Sequence, residues 1–315
     1  MLAASEPTEL GGTEQWLLLR GQAAHPILLV LHGGPGSADI ATASRYQREP
    51  EKRFLVVNWD RRGAGKSGYR NPYLSVEQLV SDAAELIRLL LTRFGKQKAY
   101  LLGHSWGSAL GLLVAHRHPE LVAAYVGVGQ LANASENERL SAEYMQRRAR
   151  RLSTRLASRL SAPPYGSNVG VLVTQRAWLY LLGGFFHSRR AGLGYAVAFL
   201  SSKTYSLEDK LRYSRHLRRS LRQLWPEVEG IDLFRDVPGV EVPVLFCLGR
   251  HDMTTPSILA EHYLAALKAP RKQLTWFGKS AHCPNLEEPR KFAETIFAWT
   301  EQLSRLSNQN RRIIR

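Results

Sequence analysis

Three side chains in this 315-residue sequence have the types needed for nucleophilic catalysis: Ser105, Asp252 and His282. A serine hydroxyl becomes an effective nucleophile when a neighbouring base takes its proton, and histidine suits that task because its unperturbed pKa lies near neutrality. A buried carboxylate such as that of Asp252 would hold the imidazole in one tautomer and stabilise its charged form. These residue types therefore predict acyl transfer through a covalent serine intermediate.

Ser105 stands in the stretch Gly103-His104-Ser105-Trp106-Gly107, one match to the pattern G-x-S-x-G. It follows an apolar run, "KAYLLGH", and opens a helical segment, "WGSALGLLVAHRHPE". The two glycines permit a sharp turn, and a helix N-terminus favours the negative charge of a developing oxyanion. The alternative is a serine that only caps the helix.

The acid and the base are predicted from their positions directly after strands. Asp252 ends the strand "VPVLFCLG" and His282 follows the strand "KQLTWFG". In open α/β sheets ligands bind outside the carboxyl ends of the strands, which favours these two residues. Asp232 and Asp236 remain alternatives for the acid, and His251, next to Asp252, remains one for the base.

A glycine-rich loop follows the strand "PILLVL" and is predicted to supply part of an oxyanion hole. Its glycines leave the backbone free to aim an N–H at a ligand, so we assign the N–H groups of Gly34 and Trp106 as the two donors. The alternative is a tight turn with no ligand. The other residues of this loop are predicted to shape it: His32, Gly33, Pro35 and Gly36.

A second polar loop, Asp60–Ser67, follows the strand "FLVVNW". Its Lys-Ser pair resembles a phosphate loop, but the G-x-x-x-x-G-K spacing is absent, so nucleotide binding is not expected. We predict that this loop braces the site, with Asp60 and Arg62 as structural residues.

Apolar strands alternate with helices in two separated parts of the chain, 1–130 and 237–315. Such alternation predicts a doubly wound, mostly parallel α/β sheet covered on both faces. A helix is expected after Ser75, with Ser75 and Gln78 forming a capping box. Residues 131–236 show helical periodicity, no clear buried strand and a break at "SAPPYGSN", which predicts an inserted helical cap.

The net charge is +16 and the sequence pI is about 10.1. Between Leu131 and Asp236 there are 18 Lys/Arg against 9 Asp/Glu, and these arginines recur in helical patterns. No nucleic-acid-binding signature accompanies them, so arginine-rich helix surfaces are expected rather than a nucleic-acid partner. Cys247 and Cys283 are predicted to be free thiols.

No apolar run of 18 residues or more occurs, so no membrane partner is expected. The N-terminal residues lack a basic segment followed by an apolar one, which predicts a cytoplasmic protein without a signal peptide. The expected partner is a small-molecule or short-peptide substrate. The sequence leaves the oligomeric state open.

The motifs "HGGPG", "WDRRGAGKS" and "GHSWGS", in this order and spacing, resemble those of α/β-hydrolases of the proline iminopeptidase branch. The chain order Ser105, Asp252, His282 is also the order of that superfamily. The resemblance covers roughly 200 residues of the two core parts. It implies a serine hydrolase with a helical cap and neither cofactor nor metal, whose relatives release N-terminal residues, often proline, from short peptides.

Relatives that cleave N-terminal proline hold the substrate amine with cap carboxylates. That resemblance makes Glu136, Glu138 and Glu208 the candidate substrate-binding residues here, with Glu143 and Asp209 as further possibilities. An arginine-rich cap could equally favour an anionic substrate. Aromatic residues of the cap suit either an apolar pocket or its core: Tyr165, Trp178, Tyr180, Phe185, Phe186, Tyr195, Phe199 and Tyr205.

Two other functions stay open on the sequence. One is an esterase, lactonase or amidase acting on a small acyl substrate. The other is a protein that binds a ligand on this fold without turnover, because a fold does not by itself imply catalysis.

Overall fold

The computed structural model describes residues 1–68, 73–155 and 169–313. These residues form one eight-stranded sheet of order β1-β2-β4-β3-β5-β6-β7-β8. β1 and β2 pair antiparallel with each other, β2 pairs antiparallel with β4, and the remaining pairs are parallel. The predicted doubly wound α/β class is confirmed. The strands are β1 (Leu2–Leu10), β2 (Thr13–Gly21), β3 (Ile27–Leu31), β4 (Leu55–Asp60), β5 (Ala99–His104), β6 (Val122–Val128), β7 (Val244–Gly249) and β8 (Lys272–Phe277).

The hairpin of β1 and β2 is an element that the sequence analysis did not predict. The two strands join through Gly11 and Gly12, which have φ values of 54° and 69°. Two-residue hairpin turns of this kind require positive φ at both central positions, which glycine adopts at little cost. β1 also alternates between exposed and partly buried residues. A Gly-Gly pair between alternating runs was therefore a readable hairpin signal.

Helices cover both faces of the sheet, as continuous apolar strands require. Every residue of β3, β4 and β7 is buried. The helices of the described residues are α1 (Ile40–Tyr46), α2 (Val76–Phe94), α3 (Trp106–Arg117), α4 (Ala134–Arg150), α5 (Val169–Leu181), α6 (Arg189–Leu200), α7 (Leu207–Glu229), α8 (Leu233–Asp236), α9 (Ser257–Ala266), α10 (Pro284–Glu287) and α11 (Pro289–Ile313). On one face α2, α3 and α9 share a core cluster, while α11 packs on the other through Phe292, Ile296 and Trp299.

The start of α2 agrees with the sequence in part. Ser75 Oγ accepts a hydrogen bond from the Gln78 amide at 3.1 Å, as an N-cap should. The Gln78 side chain donates to Asp82 Oδ1 at 2.8 Å instead of turning back to the cap. The predicted capping box is therefore wrong in its second half, because a buried carboxylate one turn further along offers Gln78 a stronger acceptor.

The helices α4 to α8 lie between β6 and β7. The described part of 131–236 contains helices and no strand, apart from an isolated bridge between Asn133 and Asp232. Two backbone bonds at that point, Ala134 N to Ile231 O and Leu233 N to Ala132 O, hold the first and last residues of this segment together. The break predicted at Ser161–Asn168 lies outside the described residues. The division into core and cap stays a prediction, and we use "cap" below for residues 131–236.

Two smaller sequence predictions concern the membrane and the cysteines. Over the residues that the structure describes, no helix combines the length and apolar character needed to cross a membrane. Cys247 and Cys283 are both buried and both free, which confirms the prediction of free thiols.

Candidate active site

Ser105 occupies a sharp turn between β5 and α3. Its φ of 55° is the only positive φ of a non-glycine residue among the described residues. Such a conformation costs free energy and persists where the surrounding structure enforces it. A Cβ on Gly103 would lie 2.5 Å from the Gly107 carbonyl oxygen, and a Cβ on Gly107 would collide with the Leu31 backbone. The Ser105 side chain caps no amide of α3, so it is not a simple helix cap.

Asp252 and His282 are brought together by the ends of β7 and β8. The Nδ1 atom of His282 lies 2.9 Å from Oδ2 of Asp252, and each residue is 1% exposed. Asp252 also accepts hydrogen bonds from the amides of Thr254 and Thr255 and from Thr255 Oγ1, at 2.8, 3.0 and 3.0 Å. Because every other contact donates to the carboxylate, we assign the His282 proton to Nδ1, which leaves Nε2 as a base.

The alternative acids and base lie elsewhere. Asp232 caps α8 by accepting a hydrogen bond from Phe234 N at 3.1 Å, and Asp236 pairs with Arg235 at 2.7 Å. His251 is exposed and its ring stacks on that of His187 with centroids 3.9 Å apart. These local roles account for all three residues without catalysis.

Ser105 and His282 line one cavity of about 300 Å³ between the sheet and the cap. The ring of His104 lies beside that of His282, with centroids 4.8 Å apart. Burial, reinforced by His282, lowers the pKa of His104 to about 3, so this neighbour stays neutral. The ring of Phe185 packs edge-on against His282 at 5.2 Å. These rings shield His282, which is 1% exposed, from water.

The aromatic residues of the cap divide between this cavity and the packing of the protein. Phe185, Phe186 and Tyr195 line the cavity, as an apolar pocket requires. Tyr205 is buried and donates a hydrogen bond to Asp60. Tyr165 lies outside the described residues. The remaining three serve packing or the surface: Trp178 packs against a cluster of buried cap residues, Phe199 packs on Tyr213, and Tyr180 is exposed.

The glycine-rich loop reaches the same site. Gly34 has a φ of 117°, and a Cβ there would lie 2.7 Å from Ser37 N, so the loop conformation requires glycine. Trp106 is the first residue of α3, where an amide has no intrahelical acceptor. Gly34, Ser105 and Trp106 border one small cavity of about 40 Å³. The two residues predicted to supply the oxyanion donors thus border the same small cavity as Ser105.

The loop after β4 holds the glycine-rich loop in position. The buried guanidinium of Arg61 donates to the carbonyl oxygens of His32 and Gly33, the second at 3.0 Å. Burial lowers the pKa of Arg61 to about 9 and also lowers that of His32, where the Arg61 charge adds to the effect. Arg61 was not predicted from the sequence, because nothing in "DRRG" shows which of its two arginines contacts the glycine-rich loop.

Asp60 and Arg62 make buried contacts that hold the loop after β4 in place. Arg62 makes a buried ion pair with Asp82 through Nε at 2.8 Å. Asp60 is fully buried and accepts hydrogen bonds from Tyr205 and from the Lys66 amide, the latter at 3.0 Å. Burial raises the pKa of Asp60 to about 7, against these hydrogen bonds, which lower it. These contacts are those expected of residues that brace a loop.

The three cap glutamates are separated by the fold. Glu136 is paired with Arg139 through Nε at 2.7 Å on the protein surface, and Glu208 is paired with Arg212. Neither lines the cavities beside Ser105. Glu138 is buried, borders the small cavity and forms a bidentate ion pair with Arg176.

The alternative cap carboxylates are also engaged away from the cavity. Glu143 pairs with Arg139 on the surface, and Asp209 closes the capping box of α7 with Ser206.

Two further residues of the main cavity were missed from the sequence, Asp39 and Arg176. Asp39 follows the glycine-rich loop by three residues, a signal that could have drawn attention to it. Arg176 lies in the mostly apolar helix α5, and nothing in the sequence of that helix indicates that this arginine faces the cavity.

Comparison with known proteins identifies the family of this chain. Residues 26–289 match the family described as the α/β hydrolase fold. A probable aminopeptidase of Bacillus subtilis (strain 168) is 32% identical over 303 residues, which cover 94% of this chain and 95% of the relative. This protein therefore belongs to the α/β-hydrolase fold family.

Other similar proteins concern the proline iminopeptidase branch of this family. A probable proline iminopeptidase of Streptomyces coelicolor is 36% identical over 111 residues, or 34% of each chain. The crystal structure of proline iminopeptidase from Mycobacterium smegmatis aligns with a TM-score of 0.71 at 18% identity, over 96% of this chain and 100% of that one. The predicted resemblance to the proline iminopeptidase branch is confirmed. A Rhodococcus esterase aligns similarly, with a TM-score of 0.66 at 19% identity over 96% and 100% of the two chains.

Proposed function

We propose that this protein is a serine hydrolase that forms an acyl-enzyme and releases N-terminal residues from short peptides. The observation that carries the proposal is the buried Asp252–His282 pair, whose histidine lines one cavity with a serine held at positive φ. A histidine oriented by a carboxylate and a serine that faces the same cavity are the two parts that nucleophilic catalysis needs.

The proposed reaction begins when Ser105 Oγ attacks the substrate carbonyl and His282 Nε2 takes the serine proton. Asp252 stabilises the imidazolium that results, since its carboxylate accepts the Nδ1–H bond. The tetrahedral oxyanion receives hydrogen bonds from the N–H groups of Gly34 and Trp106. His282 then donates its proton to the leaving amine, and the acyl-enzyme forms.

In the second half, His282 takes a proton from a water molecule as that water attacks the acyl-enzyme. Collapse of the second tetrahedral intermediate returns the proton to Ser105 Oγ and releases the acid. Donors that are preorganised around an oxyanion each contribute roughly 10²- to 10³-fold to kcat. The rigid turn at Gly34, where a Cβ would meet Ser37 N at 2.7 Å, supports that preorganisation.

The aminopeptidase assignment is supported by the Bacillus subtilis relative, which is named a probable aminopeptidase and aligns over 94% of this chain. The alternative is an esterase, lactonase or amidase. It is supported by the cavity wall, which is mostly apolar and receives neither Glu136 nor Glu208. Binding without turnover is a weaker alternative, because it would leave the cost of the Ser105 conformation without a function.

A fluorophosphonate probe tests the serine hydrolase directly. We expect the probe to label wild-type protein and to leave Ser105→Ala unlabelled, while Ser108→Ala, three residues along the same helix, still labels. Absence of label on folded wild-type protein would reject the nucleophile.

Substrate class is tested by comparing proline, alanine and arginine arylamides with short-chain nitrophenyl esters. We expect turnover of arylamides that carry a free amine. If the protein cleaves the esters alone, the peptidase assignment fails and the esterase alternative takes its place.

A further inference from the structure

Two side chains that carry a formal charge at neutral pH line the main cavity of the described structure, Asp39 and Arg176. Arg176 is neutralised by its bidentate ion pair with Glu138, whose side chain is 7% exposed. That pair leaves Asp39 as the charge of this wall that a bound ligand could neutralise.

Asp39 precedes α1, yet its side chain caps no amide of that helix. No hydrogen bond to its carboxylate occurs from any residue that the structure describes. The charge of Arg61 lowers the pKa of Asp39, but the Arg61 guanidinium donates its hydrogen bonds to the carbonyl oxygens of His32 and Gly33. Asp39 is thus a partly buried carboxylate that faces a cavity without a donor of its own.

The charges of Asp39, Asp60 and Arg61 influence one another's pKa values. Burial raises the pKa of Asp39 to about 6, and the Arg61 charge offsets part of this rise. The charges of Asp39 and Asp60 each raise the pKa of Arg61, and the charge of Asp39 raises that of Asp60. The Asp39 charge thus interacts with those of Asp60 and Arg61 without an ion pair to either among the described residues. A cation in the cavity would favour the ionised form of Asp39.

The position of Asp39 suits a cation joined to the scissile carbonyl. Asp39 lies five residues after Gly34 in the segment between β3 and α1, and both residues line the cavity with Ser105. In an N-terminal residue the amine nitrogen lies about 2.5 Å from the carbonyl carbon, across one Cα. An anion that binds this amine must therefore lie in the same cavity as the oxyanion donors, and Asp39 lines the cavity that Gly34 and Ser105 line.

Aromatic rings complete the environment of Asp39. Tyr46 and Tyr195 line the cavity, and their rings stack with centroids 6.3 Å apart. Burial raises the pKa of Tyr195, and the Asp39 charge adds to this rise. Aromatic faces attract ammonium groups, most strongly where water is excluded.

We propose that Asp39, in the cavity that Tyr195 also lines, binds the free ammonium group of the substrate's N-terminal residue. The inference deepens the proposed aminopeptidase function and rests on it. It moves amine recognition from the cap glutamates to the segment between β3 and α1 that also carries Gly34. The substrate class is then a short peptide or amide with an unblocked, cationic N-terminal amine.

Binding is measured by calorimetry at pH 7.5 on Ser105→Ala protein, so that no turnover is needed. The ligands are prolinamide and N-acetylprolinamide, which differ in the amine. We expect prolinamide to bind at least tenfold more tightly than its acetylated form. Asp39→Asn in the same background should lose at least tenfold affinity for prolinamide and leave the affinity for N-acetylprolinamide unchanged.

The matched control is Glu120→Gln, which removes one negative charge from an exposed side chain that pairs with Arg88 at 3.8 Å. It should keep the preference for prolinamide. Equal affinities of the Asp39→Asn and parent proteins for prolinamide, or no preference for the free amine in the parent, would overturn the inference.

Fluorophosphonate labelling separates the two proposals. Loss of labelling in wild-type protein rejects the hydrolase, whereas normal labelling with no amine preference rejects the role of Asp39 alone.

Discussion

The guanidinium of Arg61 donates a 3.0 Å hydrogen bond to the carbonyl oxygen of Gly33, the residue before Gly34. A side chain from the loop after β4 thereby positions the backbone that follows β3. Arg61 does not line the main cavity, so its proposed part in the reaction is to position Gly34 rather than to touch substrate.

Arg61→Gln tests this positioning. Loss of the guanidinium should let the Gly34 N–H drift from the oxyanion and lower kcat by roughly tenfold to a hundredfold, since one oxyanion donor is worth about 10²- to 10³-fold. Steady-state kinetics on a neutral nitrophenyl ester, which has no amine, would show KM nearly unchanged. A rise in KM with constant kcat would contradict the positioning role.

Asp252→Asn addresses the orientation of His282. An asparagine that donates to Nδ1 would place the histidine proton on Nε2, the atom that must act as base. We expect kcat to fall roughly 10³- to 10⁴-fold. Circular dichroism should show an unchanged fold, because the amide keeps an oxygen for the Thr254 and Thr255 amides. Activity within tenfold of wild type would argue for another acid.

Gly107→Ala should destabilise the protein severely. The added Cβ would meet the carbonyl oxygens of Leu31 and His32, which are backbone atoms of β3 and its loop and cannot move aside. A loss of about 3 kcal/mol or more in the free energy of unfolding is expected from overpacking of this kind. Gly278→Ala is the matched control, since a Cβ there has nothing within 4 Å. Urea denaturation of both variants measures the difference.

Asp60 should make stability depend on pH. Its pKa of about 7 in the folded protein lies above the ordinary value of 3.8, so the folded state binds the proton more tightly than the unfolded state. Its contribution to stability is present below about pH 4 and is lost as pH rises through about 7, by up to roughly 4 kcal/mol. Asp60→Asn should therefore gain stability relative to wild type between pH 4.5 and 7.5 in urea denaturation. Parallel pH profiles of the two proteins would refute this.

The Glu138–Arg176 pair should show coupled energetics. Removing either partner alone leaves a charge beside the small cavity without its counterion, so Glu138→Gln and Arg176→Met should each destabilise by about 1–3 kcal/mol. The double variant should cost less than the sum of the two, with a coupling energy of about 1 kcal/mol or more. Additive effects in a double-mutant cycle would mean that the ion pair contributes nothing.

Much of the fold was predictable because its signals are local. Buried strands read as apolar runs, and the glycines at 103 and 107 mark the turn that holds Ser105. The hairpin of β1 and β2 was not predicted, although the Gly11-Gly12 pair is a local signal for such a turn. Gln78 was misassigned for a different reason. Its side chain had two possible acceptors, and only the packed structure brings the Asp82 carboxylate within 2.8 Å.

The sequence by itself determined the fold class and the residues proposed as nucleophile, acid and base. Residue type, chain order and position after a strand suffice for these, because the carboxyl ends of parallel strands meet at one edge. Only the tertiary structure decided which charges face the cavity. Glu138 is neutralised by Arg176, 38 residues away, whereas Asp39 has no described donor. The role of a charged side chain depends on its partners across the fold, and such long-range contacts produce no periodic pattern in the sequence.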